Sequence, residues 1–103
     1  MLLDECVHKK MKLALGGHEV FTVADMKWQG IKNGKLLALA STKFDAFLTV
    51  DKNLRYQQRL TALPMPVIVI NAVSIQWEDI IPAIPDVLLL LGNTLENKVY
   101  SIE

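Results

Sequence analysis

The sequence predicts a single α/β domain whose central, mostly parallel sheet has about four to five strands, with helices on both faces. Strand-like and helix-like segments alternate along the 103 residues, as in right-handed β-α-β units. The unbroken β-branched run over residues 67–70 is typical of a strand buried on both faces of a parallel sheet. The length suits one domain over residues 1–103, and a 51% hydrophobic composition supplies a core.

Five segments have the composition of strands, at residues 1–3, 18–23, 46–50, 67–70 and 99–102. Between them the apolar spacing predicts helices over residues 5–15, from Asn33 as N-cap, over residues 54–63 and over residues 77–91. Gly16-Gly17 ends the first of these helices, and Pro82 and Pro85 interrupt or restart the last. Residues 24–32 are predicted to be a loop.

Composition narrows the function classes. Lys plus Arg equals Asp plus Glu at 11 each, so only a local patch would attract nucleic acid or anionic lipid. Cys6 is the single cysteine, which excludes an intrachain disulfide and a Cys-based zinc site. Charge begins at Asp4, so we expect no signal peptide, and an apolar run such as residues 87–91 is far below the ~20 residues of a membrane span. We expect a cytoplasmic protein.

Two aspartates follow predicted strands of the sheet. Asp4 comes directly after the first strand and Asp51 directly after the third. Ligands of open parallel sheets bind beyond the carboxyl ends of the strands, so both carboxylates are candidates for one crevice. A Mg²⁺ or Mn²⁺ ion would relieve their repulsion, hold a phosphodiester and activate water, with Glu5 assisting. The alternative is that both aspartates cap the helices that follow them.

The remaining acidic residues are weaker candidates. Asp45 precedes the third strand and is therefore expected at the opposite end of the sheet. Asp25 lies in the loop after the second strand, nearer the candidate crevice. Glu78 and Asp79 open a predicted helix, where acidic residues offset the macrodipole.

Two groups of basic residues are candidates for binding RNA phosphates. Lys9, Lys10 and Lys12 form the densest group, although a solvated helix face is the simpler interpretation, and Lys10 is close enough to Asp4 to face the crevice. The group after Asp51 is better placed and comprises Lys52, Arg55 and Arg59.

The aromatic residues and histidines give weaker signals. Trp28 either stacks on a base, anchors a partner or packs over the sheet edge. Trp77 is predicted to be core. His8 and His18 lack the spacing of metal-ligand pairs and are predicted to be ordinary histidines, and Cys6 a small buried hydrophobe.

Four segments together resemble a known family. They are LLDECV at residues 2–7, GHEV at 17–20, LLALA at 36–40 and FLTVDKNL at 47–54. In order and spacing they resemble the small PIN-like toxin-type domains, relatives of the PIN ribonucleases of bacterial toxin–antitoxin modules. The resemblance covers nearly the whole chain, and the LLDE and LTVDKN segments are its most specific parts.

The resemblance implies a three-layer PIN-like domain and a Mg²⁺- or Mn²⁺-dependent endoribonuclease. Asp4 matches the first acidic position of the family and Asp51 the one after the central strand, which makes both catalytic and metal-binding. Asn53 would add a neutral oxygen ligand, and Glu5, next to Asp4 in the sequence, would assist the metal through water. The partners implied are an RNA substrate and a small antitoxin, often of the helix-turn-helix type. The small domain size favours a homodimer.

Two departures from the family pattern predict a weakened site. Residues 32–35 carry no acid where the family has a third carboxylate, and Asn53 stands where an acid is common. A catalytically silent PIN-like interaction module is therefore one alternative. A receiver-like phospho-acceptor domain is another, because acids follow strands one and three. The lysine expected after a fifth strand is missing, since Lys98 precedes that strand.

Overall fold

The structure, a computed structural model, describes residues 1–31, 33–50 and 63–102. In these residues five parallel strands form one sheet. In chain order they are β1 (Leu2–Leu3), β2 (Phe21–Thr22), β3 (Phe47–Thr49), β4 (Val67–Ile70) and β5 (Val99–Ile102). Their order across the sheet is β2-β1-β3-β4-β5. The prediction of an α/β fold on a parallel sheet is confirmed.

The helices are α1 (Met11–Ala14), α2 (Asn33–Ser41), α3 (Trp77–Ile80) and α4 (Ile84–Leu91), with a 3₁₀ helix, Ile81–Ala83, between the last two. Pro82 and Pro85 lie in the first turns of the 3₁₀ helix and of α4. A proline is tolerated there because its missing N–H would have no partner inside the helix. The prediction of restarts at these prolines is confirmed, whereas the helix expected over residues 54–63 falls almost wholly outside the described residues.

The first helix is much shorter than the predicted span of residues 5–15. Turns occupy the segment after β1, with the Val7 N–H donating to the Asp4 carbonyl at 3.0 Å and the Met11 N–H to that of His8 at 3.0 Å. Side chains also accept backbone donors here: Asp4 Oδ1 accepts from Glu5 N–H and His8 Nδ1 from Lys10 N–H. Such local bonds compete with helix formation, which explains the error. β2 is likewise shorter than predicted.

Two hydrophobic clusters cover the two faces of the sheet. Alternate strand residues point to opposite faces, so Leu3, Leu48 and Ile68 enter one cluster, while their neighbours Leu2, Phe47 and Val67 enter the other. The first cluster includes Met11 of α1, Ile80 of α3 and Val87 of α4. The second includes Leu36, Leu37 and Ala40 of α2. The described helices therefore pack on both faces.

Because all strands run in one direction, the sheet has a carboxyl edge, where Asp4, Val50 and Asn71 follow β1, β3 and β4, and an amino edge opposite. The amino edge has a cavity of about 720 Å³ whose lining includes His18, Glu19, Lys43 and Asp45. The expectation that Asp45 lies away from Asp4 is therefore confirmed. Of the helices in the described ranges, none combines the length and apolar character that crossing a bilayer needs.

Candidate functional site

The site lies where β1 and β3 run side by side. Leu2 pairs with Phe47 and Leu3 with Leu48, and the Asp4 N–H donates to the Leu48 carbonyl at 2.9 Å. Within the sheet, β2 lies on one side of β1 and β3 lies on the other, so the direction in which strands are added reverses at β1. Ligands of open α/β sheets bind at such a reversal of strand order. Asp4 therefore occupies the position at which this fold places its sites.

Both oxygens of the Asp4 carboxylate accept hydrogen bonds. Oδ1 accepts from Glu5 N–H at 2.8 Å, and Oδ2 accepts from the Thr49 hydroxyl at 2.8 Å. Thr49 is completely buried, while Asp4 is partly exposed. The alternative that Asp4 caps the next helix is wrong, because α1 begins after Lys10 and has no side-chain cap. The carboxylate is held toward β3 instead.

Cys6 completes a polar group that we call the Asp4 cluster, consisting of Asp4, Cys6 and Thr49. Its Sγ lies 3.6 Å from Asp4 Oδ2 and 3.5 Å from Thr49 Oγ1. Burial is the main cause that raises the pKa of the Cys6 thiol, and the Asp4 carboxylate adds to it. Cys6 is thus half-buried with polar contacts, unlike the purely apolar residue predicted. No sequence pattern singled out Thr49, although it stands two residues before Asp51 in a predicted strand.

Glu5 makes a long-range contact away from the Asp4 cluster. Its Oε1 accepts a hydrogen bond from the Gly30 N–H at 3.0 Å, across 25 residues of chain. Gly30 has a φ of +81°, a conformation that favours glycine. Glu5 therefore ties the segment after β1 to the loop that leads from β2 to α2.

Most of the predicted partners of Asp4 lie outside the described residues. These are Asp51, Asn53, Lys52, Arg55 and Arg59. Asp51 follows Val50 directly in the sequence, and Val50 is buried next to the end of β3. Within residues 1–31, 33–50 and 63–102, no three His, Cys, Asp or Glu side chains form a group that could hold a metal ion.

The basic residues of the first segment divide into two kinds. Lys9 and Lys10 are exposed. Lys12 instead forms an ion pair with Asp25 at 2.7 Å and lies 5.9 Å from the ring centroid of Phe21. The hydrogen bond from Lys12, with a backbone hydrogen bond from Thr22, holds the pKa of Asp25 below its usual value. Asp25 is therefore part of a surface network rather than of the Asp4 cluster.

The aromatic residues have different surroundings. Trp28 packs in the second cluster, edge-on to Phe44 with ring centroids 6.3 Å apart, as the packing interpretation predicted. Trp77 packs against the first cluster while partly exposed, and its ring centroid lies 5.5 Å from that of His8. His18 lines the cavity at the amino edge.

The fold and the Asp4 cluster together define an open parallel α/β domain with a hydrogen-bonded carboxylate at the reversal of strand order. Comparison of the chain with protein-family models, with curated proteins and with solved structures finds no match.

Proposed function

We propose that the protein is a three-layer PIN-like endoribonuclease that uses Mg²⁺ or Mn²⁺ at Asp4 and Asp51. The observation that carries the proposal is the Thr49–Asp4 hydrogen bond of 2.8 Å. It holds a partly exposed carboxylate at the end of β3, and Asp51 comes two residues after Thr49 in the sequence. The resemblance of residues 2–7 and 47–54 to PIN-like domains supports the same pair.

The donors suit a hard cation. Asp4 offers carboxylate oxygen, and Mg²⁺ and Mn²⁺ prefer oxygen ligands. In the described residues Asp4 takes part in no ion pair that would compete for its charge. One carboxylate is too few, so the proposal requires Asp51, with Asn53 as a neutral oxygen ligand. Asn53 and the acid-free residues 32–35 predict weaker metal binding than a fuller carboxylate set gives.

The residues around the ion have separate tasks. A bound divalent cation supplies charge neutralisation for the phosphodiester and a more acidic water. Thr49 and the Glu5 N–H fix the direction of the Asp4 carboxylate before substrate arrives, which avoids reorganisation during the reaction. Lys10, which is exposed, and the basic residues that follow Asp51, namely Lys52, Arg55 and Arg59, bind the phosphates of the substrate.

Cleavage of RNA by the purified chain in Mn²⁺ tests the proposal. We expect Asp4→Asn and Asp51→Asn each to reduce the rate by at least about 10², because each removes a charged ligand. Asp45→Asn is the matched control, since Asp45 is an exposed aspartate at the amino edge. Equal cleavage by wild type and Asp4→Asn, purified in parallel, would show a contaminating nuclease and contradict the proposal.

A toxin–antitoxin setting completes the proposal. It places the enzyme in the cytoplasm, as a homodimer bound by a small helix-turn-helix antitoxin. Co-expression with the product of an adjacent short reading frame should give a co-purifying complex, and light scattering gives the subunit number. If calorimetry detects no Mn²⁺ binding at millimolar concentration while the complex forms, the chain is instead a silent interaction module.

A receiver-like phospho-acceptor is the second candidate. The observation in its favour is the strand order β2-β1-β3-β4-β5, which flavodoxin-like and receiver domains share. Against it, Lys98 precedes β5 at the amino edge and pairs with Glu96 at 3.5 Å. Incubation with acetyl phosphate, followed by mass spectrometry, distinguishes the two: a phosphoryl adduct on Asp51 supports a receiver.

A further inference from the structure

An aromatic pair lies in the segments that follow the carboxyl ends of β1 and β4. The rings of His8 and Trp77 have centroids 5.5 Å apart and planes inclined by 38°. His8 belongs to the segment that leaves β1, four residues after Asp4, and Trp77 begins α3 after the loop that leaves β4. Four residues of chain reach at most about 14 Å, so the pair lies within a few nucleotides' length of Asp4.

The outer member of the pair is accessible. His8 is exposed, whereas Trp77 is partly buried against the first hydrophobic cluster. Trp77 therefore packs against the imidazole at a tilt and restricts its position. His8 Nδ1 accepts the Lys10 N–H at 3.1 Å, which further restricts the ring. A ring held on one side and open to solvent on the other is a platform for a second flat group.

The charges and apolar side chains nearby suit a nucleic acid. Lys9 and Lys10 follow His8 directly and are exposed. Val73 and Ile75, in the loop before Trp77, are 90% and 63% exposed. The chain carries no net charge, so an attraction to phosphate must come from such a local patch. Aromatic faces next to backbone-neutralising lysines are how proteins bind single strands.

We propose that the His8–Trp77 pair stacks one unpaired base of a single-stranded RNA while Lys9 and Lys10 bind the adjoining phosphates. The inference rests on the proposed function, which it deepens by naming the subsite that positions the strand. A base within a duplex has both faces covered by its neighbours, so the platform selects against paired RNA. His8 is a specificity-determining residue that holds the strand near Asp4, and it takes no part in the chemical step.

The test is equilibrium binding of a fluorescein-labelled uridine oligonucleotide of about eight residues to the full chain, with chelator present so that cleavage stops. We expect His8→Ala to weaken binding about tenfold, ~1.4 kcal/mol at 298 K, and His8→Tyr to restore it. Replacing Lys9 and Lys10 by Gln should lower the slope of log Kd against the logarithm of the salt concentration by about 1.4, because each phosphate contact contributes roughly 0.7 to that slope.

Three controls separate stacking from other effects. His18→Ala removes the other histidine, at the amino edge, and should leave affinity unchanged. An abasic oligonucleotide of equal length should bind wild type and His8→Ala equally. In a Trp28→Phe background, the single-strand ligand should quench Trp77 fluorescence and a duplex should not.

The outcomes distinguish this inference from the function on which it rests. Wild-type protein that binds no RNA in chelator and cleaves none in Mn²⁺ overturns both, whereas cleavage in Mn²⁺ without measurable binding in chelator overturns only the stacking subsite. Tight RNA binding that is unaffected by His8→Ala, or weakened equally for the abasic strand, overturns only the stacking subsite. The stacking subsite is supported if His8→Ala loses affinity for the single strand, His8→Tyr recovers it, and the single strand quenches Trp77 fluorescence.

Discussion

The Thr49 hydroxyl donates a hydrogen bond of 2.8 Å to Asp4 Oδ2, joining residues 45 positions apart in the chain. Thr49 is the last residue of β3 and Asp4 the first after β1, so this bond connects the carboxyl ends of two adjacent strands. It forms between a fully buried donor and a partly exposed acceptor. A bond so placed fixes a carboxylate and also contributes to stability.

Thr49→Val should destabilise the fold by about 1–3 kcal/mol. The substitution keeps the shape of the side chain but removes the hydroxyl that donates a hydrogen bond to Asp4 Oδ2. Thr49→Ser keeps the hydroxyl and should recover part of the hydrogen-bond contribution. Urea denaturation measures both variants, with Thr94→Val at the exposed amino edge as a control. Equal stability of Thr49→Val and wild type would contradict the bond.

The Cys6 thiol reports on Asp4 directly. Burial, and to a lesser degree the nearby carboxylate, raises the pKa of Cys6 above 9.0. Alkylation by iodoacetamide should therefore be slow at neutral pH and accelerate with a midpoint above that value, because only the thiolate reacts.

Asp4→Asn removes the negative charge and should move this midpoint to lower pH. Mass spectrometry of the alkylated fraction across a pH series measures the shift. Asp45→Asn, at the opposite edge, should leave the midpoint in place. A midpoint that is the same in Asp4→Asn and wild type would show that the two side chains do not interact.

Local sequence patterns predicted which segments form strands, but not which strands are neighbours. The run at residues 67–70 identifies β4 by composition alone, since every residue there is buried. The adjacency of β1 and β3 depends on the packing of the whole chain. It is nevertheless this adjacency that brings Thr49 to Asp4, so a residue predicted only as part of a strand belongs to the candidate site.

The error at α1 has the same origin. Periodicity over residues 5–15 correctly predicts that Met11 and Leu15 are buried, but of the two only Met11 lies in α1. Periodicity does not register that Asp4 and His8 accept hydrogen bonds from the backbone N–H groups of Glu5 and Lys10. Polar side chains at a strand end decide the conformation there, and candidate sites lie at strand ends.

The Lys12–Asp25 ion pair predicts a pH dependence on the acid side. The pKa of Asp25 is lowered from its ordinary value of 3.8, chiefly by the hydrogen bond from Lys12. A carboxyl with a lowered folded-state pKa contributes stability that is present above the unfolded-state value and is lost as the pH falls through the folded-state value. The contribution therefore begins to decline as the pH falls below about 4. Because both side chains are exposed, we expect a small effect.

NMR titration of the Asp25 carboxyl gives the direct measurement. Lys12→Gln should raise its midpoint toward the ordinary value and flatten the loss of stability in acid. Lys9→Gln removes an equal charge from the same exposed segment and serves as the matched control. A midpoint that does not change in Lys12→Gln would mean that the ion pair is absent in solution.

Glu5 has two candidate roles, holding the loop after β2 and binding the metal ion, and substitutions can separate them. Its Oε1 already accepts a hydrogen bond from the Gly30 N–H at 3.0 Å. If its main task is to hold the loop after β2, Glu5→Gln should behave like wild type, since the amide oxygen can accept the same bond. Glu5→Ala should then accelerate hydrogen exchange of the Gly30 amide roughly fivefold, the equivalent of a ~1 kcal/mol hydrogen bond.

If Glu5 is instead a metal ligand, Glu5→Gln removes a charged oxygen and should weaken Mn²⁺ binding about tenfold or more, while the Gly30 amide keeps its protection in the absence of metal. Amide exchange by NMR and Mn²⁺ titration by calorimetry on the same two variants separate the roles. We expect the Gly30 amide to lose protection from hydrogen exchange only in Glu5→Ala. Both variants should bind Mn²⁺ within about threefold of wild type, because the hydrogen bond observed for the Glu5 carboxylate is to a loop amide.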